Sequence, residues 1–309
     1  MSSRPINYLE IFNKIDFEKI IDRPNILIAA SFWEEDRYAA ARVCYKLMRS
    51  VDDLVDNYKT NHKIITDVEK EQLATEVKDW INAITDSSNN SPGQNEIVET
   101  FEKYKIPVWP MNAFAKSMLY DIQNDGFPNL QAFLDYAQGA AVAPASIFVH
   151  LCGLTEIDGQ YTAPDFDVKE SATSCAIFSY LIHIIRDFQK DQFNHLNYFA
   201  DDIIKKNGLD RKKLSDMAHG LTAIDNGFRN LIQEYYVLAD HYRLKTYDVI
   251  KQISPFLGPR YQLSIEIIFN LYLMVFERID IKHGNFTAKE LNPTQEEIKQ
   301  MVYKVIGNF

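Results

Sequence analysis

Two aspartate-bearing helical turns, 135 residues apart and each set in apolar surroundings, constrain this chain more than any other feature. The first is RSVDDLVDN, Arg49 to Asn57, in which Asp52 and Asp56 stand four residues apart. It continues RYAAARVCYKLM with no Gly or Pro to stop a helix. Helical positions four apart share one face, with Cβ atoms about 5–6 Å from each other, and Arg49 and Tyr45 join that face. Asp is a mediocre helix former, and beside Met48, Val51, Leu54 and Val55 this pair lies close to an apolar interior. Two partly buried like charges raise each other's pKa unless a cation neutralises them, so a metal is the economical reading. With 43 acids in 309 residues, chance alone gives roughly six such pairs, most of them solvated helix faces. The second turn, in SYLIHIIRDFQKD, changes those odds. Asp187 and Asp191 are again four apart, Arg186 precedes them, and His183 lies one turn back on the same face. Sharing a task requires the two helices to meet in space.

The rest of the pattern supplies only helices to bring them together. Apolar periodicity predicts helices near 7–21, 35–58, 64–84, 95–105, 110–124, 129–153, 168–192, 198–206, 210–244, 246–253, 259–282 and 294–306. Strand signals are almost absent, with no alternating runs joined by Asn-Gly or Asp-Gly turns. DSSNNSPGQ (Asp86 to Gln94) and LTEIDGQYTAPDFD read as loops, neither long enough for a domain linker. No repeat or low-complexity segment appears, and the expectation is one all-α domain over residues 1–309.

Charge and cysteine usage narrow the partners. A net charge of −10 with no basic arm argues against nucleic acid, whose binding rests on Lys and Arg at phosphates. Cys44, Cys152 and Cys175 lie in apolar, helix-like stretches without metal spacing and read as reduced core thiols, which makes a cytoplasmic location the default. MSSRPINYLEIFNKID has neither an apolar signal core nor an Arg-rich transit pattern. Tyr136 to Thr155 runs twenty residues without a charge, but its Ala-rich make-up suits a buried core helix, so no transmembrane segment is expected.

Hard divalent ions take oxygen ligands, and Mg²⁺ commonly uses one or two carboxylates together with water and substrate phosphates. Two carboxylate pairs facing a helical cavity suit several Mg²⁺ ions, with Mn²⁺ as the alternative, and through them a diphosphate. An acidic protein binds such a polyanion as its metal complex. Arg49 and Arg186 add charge-assisted contacts to phosphate oxygens. Phe32, Tyr45, Phe148, Phe178, Tyr180, Phe269 and Tyr272 lie on the long helical stretches, and most such stripes are plain core. An apolar cavity with a metal–diphosphate mouth fits ionisation of an allylic diphosphate, the carbocation being steadied by π faces while water is kept out.

These residues resemble the squalene/phytoene synthase family, the head-to-head trans-isoprenyl diphosphate synthases, over most of the chain. SFWEEDRYAAARVCYKLMRSVDDLVD is similar to the family's opening block, matched by Ser31, Phe32, Arg49, Asp52, Asp53 and Asp56. AFAKSMLYDIQNDGF resembles the stretch holding a further Asp, here Asp121, and LDYAQGAAVAPAS puts Tyr136 in the place of a substrate-contacting Tyr. IIRDFQKD resembles the second metal motif, carried onto Asp187 and Asp191; Tyr198 and Tyr272 match later tyrosines. The resemblance implies a class I isoprenoid synthase bundle around a central cavity. It also implies Mg²⁺-dependent condensation of two C15 or C20 prenyl diphosphates, through a cyclopropyl diphosphate, to a squalene-type or phytoene-type product. In that reading Asp52, Asp56, Asp187 and Asp191 hold the metals and Arg49 and Arg186 grip the diphosphates. Tyr45, Tyr136 and Tyr272 then contact substrate or intermediate.

The chain departs from the family at Tyr180 to His183, where a Gln-Leu-Thr-Asn run is usual, its Asn being a metal ligand. His183 is then a weaker metal ligand, a diphosphate donor or a core histidine. Tyr-Phe-Ala (Tyr198 to Ala200) replaces Tyr-Leu-Pro, and near the C-terminus Lys289 is the one basic candidate in GNFTAKELNPT. The alternatives are a class I terpene cyclase and a non-catalytic protein with an assembly or interaction role that retains the fold. No Gly-rich dinucleotide turn appears, and NADPH use stays open, as do substrate chain length and oligomeric state. A peripheral membrane contact for release of an apolar product is a further expectation.

Overall fold

Among the described residues, Asn, Asp and Thr side chains cap seven of the helix starts, each accepting a hydrogen bond from the backbone N–H three residues on. Asn7 caps α1 (Tyr8–Phe12), Asn129 caps a helix beginning at Leu130, and Asp167, Asp210 and Asp225 cap three more. Thr294 forms a full capping box with Glu297 at the last helix. The computed structural model describes residues 6–17, 25–61, 65–85 and 92–309. Most of the polar loop read at 86–94, and the end of the helix read at 7–21, lie outside those residues.

After α1 come α2 (Asn25–Ala30), α3 (Glu35–Asn61), α4 (Asp67–Thr85), α5 (Pro92–Lys103) and α6 (Trp109–Gln123). α7 (Leu130–Ala137), a π turn (Gln138–Val142) and α8 (Ala143–Gly153) form one continuous rod. A short hairpin, β1 (Thr155–Ile157) and β2 (Gln160–Thr162), leads to α9 (Val168–Arg186) and α10 (Phe188–Phe193). The remainder is α11 (Asp201–Lys206), α12 (Arg211–Ala218), α13 (Asn226–Ile253), α14 (Pro259–Arg278), α15 (Ala288–Leu291) and α16 (Gln295–Asn308).

α9 runs along α13 and packs on α8; α3 rests on α6 and α8; α14 bridges α2 and α16. Phe32, Phe133, Phe178, Phe228, Phe269 and Tyr235 are fully buried where these helices meet. Gly139 in the π turn permits the closest approach, since a Cβ there would stand 2.0 Å from the Ala113 carbonyl oxygen. The rod Leu130–Gly153 is long and apolar enough to cross a membrane by length and composition. It lies against α6 and α9, and residues Ser146 to Gly153 are buried without interruption.

The all-α expectation holds, and several local expectations do not. Asp158 and Gly159 join β1 to β2 with φ of +52° and +77°, an Asp-Gly turn of the kind that matches strand twist, where the sequence predicts a loop. The predicted helix 168–192 is interrupted at Asp187, whose φ and ψ of −92° and 3° fall outside the helical range. The predicted helix 210–244 is two helices. Gly220, with φ +70°, ends the first, the Asp225 cap starts the second, and the second absorbs the separate helix expected at 246–253.

Candidate active site

α3, the α7–α8 rod, α9, α13 and α14 enclose a cavity of about 400 Å³. All four motif aspartates line it. Asp52 and Asp56 come from the C-terminal half of α3, one and two turns on from Arg49, which Tyr45 precedes by a turn. His183 comes from the last turn of α9, Asp187 from the break after it, and Lys190 and Asp191 from α10. Apart from Ser171, Ser179 and Thr246, the remaining lining is apolar or aromatic, with Ala140, Ala141, Ala145 and Phe148 from the rod, Ile250 and Ile253 from α13, and Ile265, Ile268 and Tyr272 from α14.

The carboxyls are electrostatically strained in this setting. Burial first, then Asp52, pushes Asp56 up to about 7. Asp52 itself is raised to about 6 by burial, against the opposing pull of Arg49, whose Nη1 stands 2.8 Å from its Oδ2. Burial, Asp187 and Asp56 raise Asp191 to about 8, so the two motifs are close enough to feel each other. Asp187 goes the other way: burial favours its acid form, but a two-pronged pair with Arg186, both contacts at 2.7 Å, holds it below the usual carboxylate range. Burial and the Arg186 charge lower His183 to about 3, so its imidazole is neutral; the ring meets Tyr272 edge to face at 6.0 Å.

Not every residue singled out by sequence reaches the cavity. Tyr136, Tyr198 and Tyr272 line it with Tyr45 and Arg49, but Ser31, Phe32, Asp53, Asp121 and Arg186 do not. Phe32 is 0% exposed in the core, and Ser31 spends its hydroxyl on the Ile28 carbonyl at 2.6 Å. Asp53 lies off the lining face of α3, paired with Arg49. Arg186 is committed to Asp187, and Asp121 lies behind the wall with Lys59 and Tyr136. The sequence reading passed over Lys190 and Lys59. Lys190 follows Asp187 by three and Lys59 follows Asp56 by three, so extending each acidic face one step reaches both.

The four carboxyls are divided between two helical segments. Among the described residues no three His, Cys, Asp or Glu side chains stand together tightly enough to enclose an ion. Three carboxyls raised by burial and mutual repulsion and a fourth held ionised by Arg186, all lining one cavity, fit divalent ions whose remaining ligands are water and a polyanion.

This all-helical bundle around an acid-lined apolar cavity is the isoprenoid synthase fold. The chain matches the crystal structure of a dehydrosqualene synthase in complex with ligand at a TM-score of 0.68, with 14% identity over 97% of both chains. YisP from Bacillus subtilis subsp. subtilis strain 168 matches at 0.62 with 13% identity over 96% of each chain. Squalene synthase HpnC from Alicyclobacillus acidocaldarius matches at 0.52 with 10% identity, covering 91% of this chain and 98% of that one. Among curated proteins, none matches this sequence. The chain belongs to the squalene/phytoene synthase family, whose model matches residues 23–296.

Proposed function

We propose that this protein condenses two allylic prenyl diphosphates, C15 or C20, head to head through a cyclopropyl diphosphate to a squalene-type or phytoene-type hydrocarbon, with Mg²⁺. The observation that carries this reading is the placement of both aspartate pairs on one apolar cavity, three of the four carboxyls being raised by burial and mutual repulsion. Asp52, Asp56, Asp187 and Asp191 would hold the ions, with His183 beside them on the α9 side. Bound Mg²⁺ supplies charge neutralisation for a departing diphosphate.

The chain's own residues do the rest. Arg49 and Lys190 reach the mouth as cations for phosphate oxygens. Arg186 holds Asp187 ionised and in place, and so serves the site without entering it. The Ala-rich rod and the isoleucines of α13 and α14 exclude water from the hydrocarbon chains. Tyr45, Tyr136, Tyr198 and Tyr272 present π faces to positive charge. Neutral His183 is suited to accept a hydrogen bond or a metal through a free lone pair.

The test is incubation of the chain with C15 and C20 prenyl diphosphates and Mg²⁺, with and without NADPH, followed by mass spectrometry of the hexane extract. A C30 or C40 hydrocarbon, or its cyclopropyl diphosphate precursor, supports the reading. A product built from one substrate molecule favours a cyclase, and no consumption of either substrate overturns both.

A further inference from the structure

Asp121 closes α6 outside the cavity at 7% exposure, yet both of its carboxylate oxygens are engaged. Lys59 Nζ donates to Oδ1 at 3.2 Å, and the Tyr136 hydroxyl donates to Oδ2 at 2.6 Å. The lysine has nothing to spare. Its other two acceptors are the carbonyls of Asp121 and Asn124, both at 3.0 Å, so its three protons are used and the ammonium is fixed beside the carboxylate.

Tyr136 is the member of this trio that lines the cavity. Its ring is wedged against Phe127, with centroids at 5.0 Å, Tyr120 at 5.9 Å and Tyr180 at 6.3 Å. Its carbonyl is pinned by the Ser117 hydroxyl at 2.7 Å, immediately before the π turn. With its one proton given to Asp121, the phenol offers the cavity only lone pairs and the ring face. A phenol donating to a carboxylate is richer in electron density than one donating to water, and its low-dielectric setting strengthens attraction for a cation.

We propose that Lys59 and Asp121 form a relay behind the cavity wall that orients Tyr136 and directs its electron density at positive charge developing on the bound isoprenoid chain. Asp121 is thus a positioning residue and not a fifth metal carboxylate. Lys59 and Tyr136 between them engage both of its carboxylate oxygens, and it does not line the cavity as Asp52 and Asp56 do. The relay deepens the prenyl transferase reading and rests on it for the identity of the charge.

The experiment is a double-mutant cycle in the full-length chain, Asp121→Asn with Tyr136→Phe, following diphosphate release from C15 and C20 prenyl diphosphates. Each single change is expected to lower kcat about ten- to a hundredfold, the worth of a charged hydrogen bond, with KM within about twofold. The double variant should be no slower than Tyr136→Phe alone. Additive losses, or losses carried by KM, overturn the relay. A second readout needs no turnover: 3-fluorotyrosine placed at position 136 should shift its fluorine resonance on Asp121→Asn, with the helical circular dichroism unchanged. An unmoved resonance overturns the relay. If the unaltered chain releases no diphosphate, the prenyl transferase reading fails, and the resonance decides whether Asp121 controls Tyr136.

Discussion

Asp52 and Asp56 stand in the C-terminal half of the 27-residue α3, whereas Asp187 closes α9 and Asp191 belongs to the six-residue α10. The spacing is identical and the construction is not. On α3 each carboxyl is held by an unbroken helix, and both are raised by burial. At the α9–α10 break Arg186 drives one member ionised while the other is pushed up to about 8. The backbone ladder nevertheless crosses the break, with Asp187 N–H on the His183 carbonyl and Asp191 N–H on the Asp187 carbonyl, both at 2.8 Å. The first turn is therefore a uniform pair, and the second is a split pair with one carboxylate held ionised by Arg186 and one raised to about 8.

Removing a carboxylate from either turn is expected to have the largest effect. Asp52→Ala and Asp187→Ala should each cut diphosphate release by about a thousandfold, since metal-borne charge stabilisation is worth several kcal/mol, while leaving the helical circular dichroism intact. Retained activity in one variant alone would show that only one turn serves the reaction. Next, Arg186→Met should injure the second turn selectively. Without its partner Asp187 rises toward Asp191, and activity at pH 7 should fall about tenfold, with the loss recovered at higher pH. A pH-independent loss would place Arg186 in the chemistry and not behind it.

Titration separates the pairs further. Asp56 at about 7 and Asp191 at about 8 carry protons near neutrality that a divalent ion must expel. Mg²⁺ affinity should therefore rise as pH climbs from 6 to 8 and level off above, with proton release seen by calorimetry in buffers of different ionisation heat. Stability runs the opposite way. An Asp whose folded pKa exceeds its unfolded value, about 3.9, takes up a proton on folding, so that contribution is complete below pH 4 and is lost as pH rises through 8. The thermal midpoint of the metal-free chain should drop across that window, and Asp191→Asn should raise it at pH 8 by about 2–4 °C for each kcal/mol relieved. A flat pH profile would contradict the split pair. The smallest effect belongs to Asp53→Asn. Its pairing with Arg49 lies off the cavity lining, so activity should change less than about twofold and stability by about 0.5 kcal/mol or less.

The helix content and the two acidic faces were legible because 3.6-residue periodicity and i, i+4 spacing are local properties. The break at Asp187 was not, since the apolar pattern runs through it and the Arg186 pairing that accompanies it is a side-chain contact. The same limit applied at Ser31, Phe32 and Asp53. Motif position put them near the acids, but only packing decides which side of a helix faces a cavity. Asp121 shows the converse, for the loop and helical turns between it and Tyr136 hid a 2.6 Å hydrogen bond. The Asp158-Gly159 hairpin carried a readable signal, overlooked because its strands are three residues long and lack alternation.

The central claim is that the two turns act jointly on one metal–diphosphate complex. Its most direct test is calorimetric titration of Mg²⁺ with inorganic diphosphate into the unaltered chain, Asp52→Asn/Asp56→Asn and Asp187→Asn/Asp191→Asn. Binding in the unaltered chain and its loss in both paired variants is the expected result. Undiminished binding in either variant would mean that one helix suffices, and the joint site would be wrong.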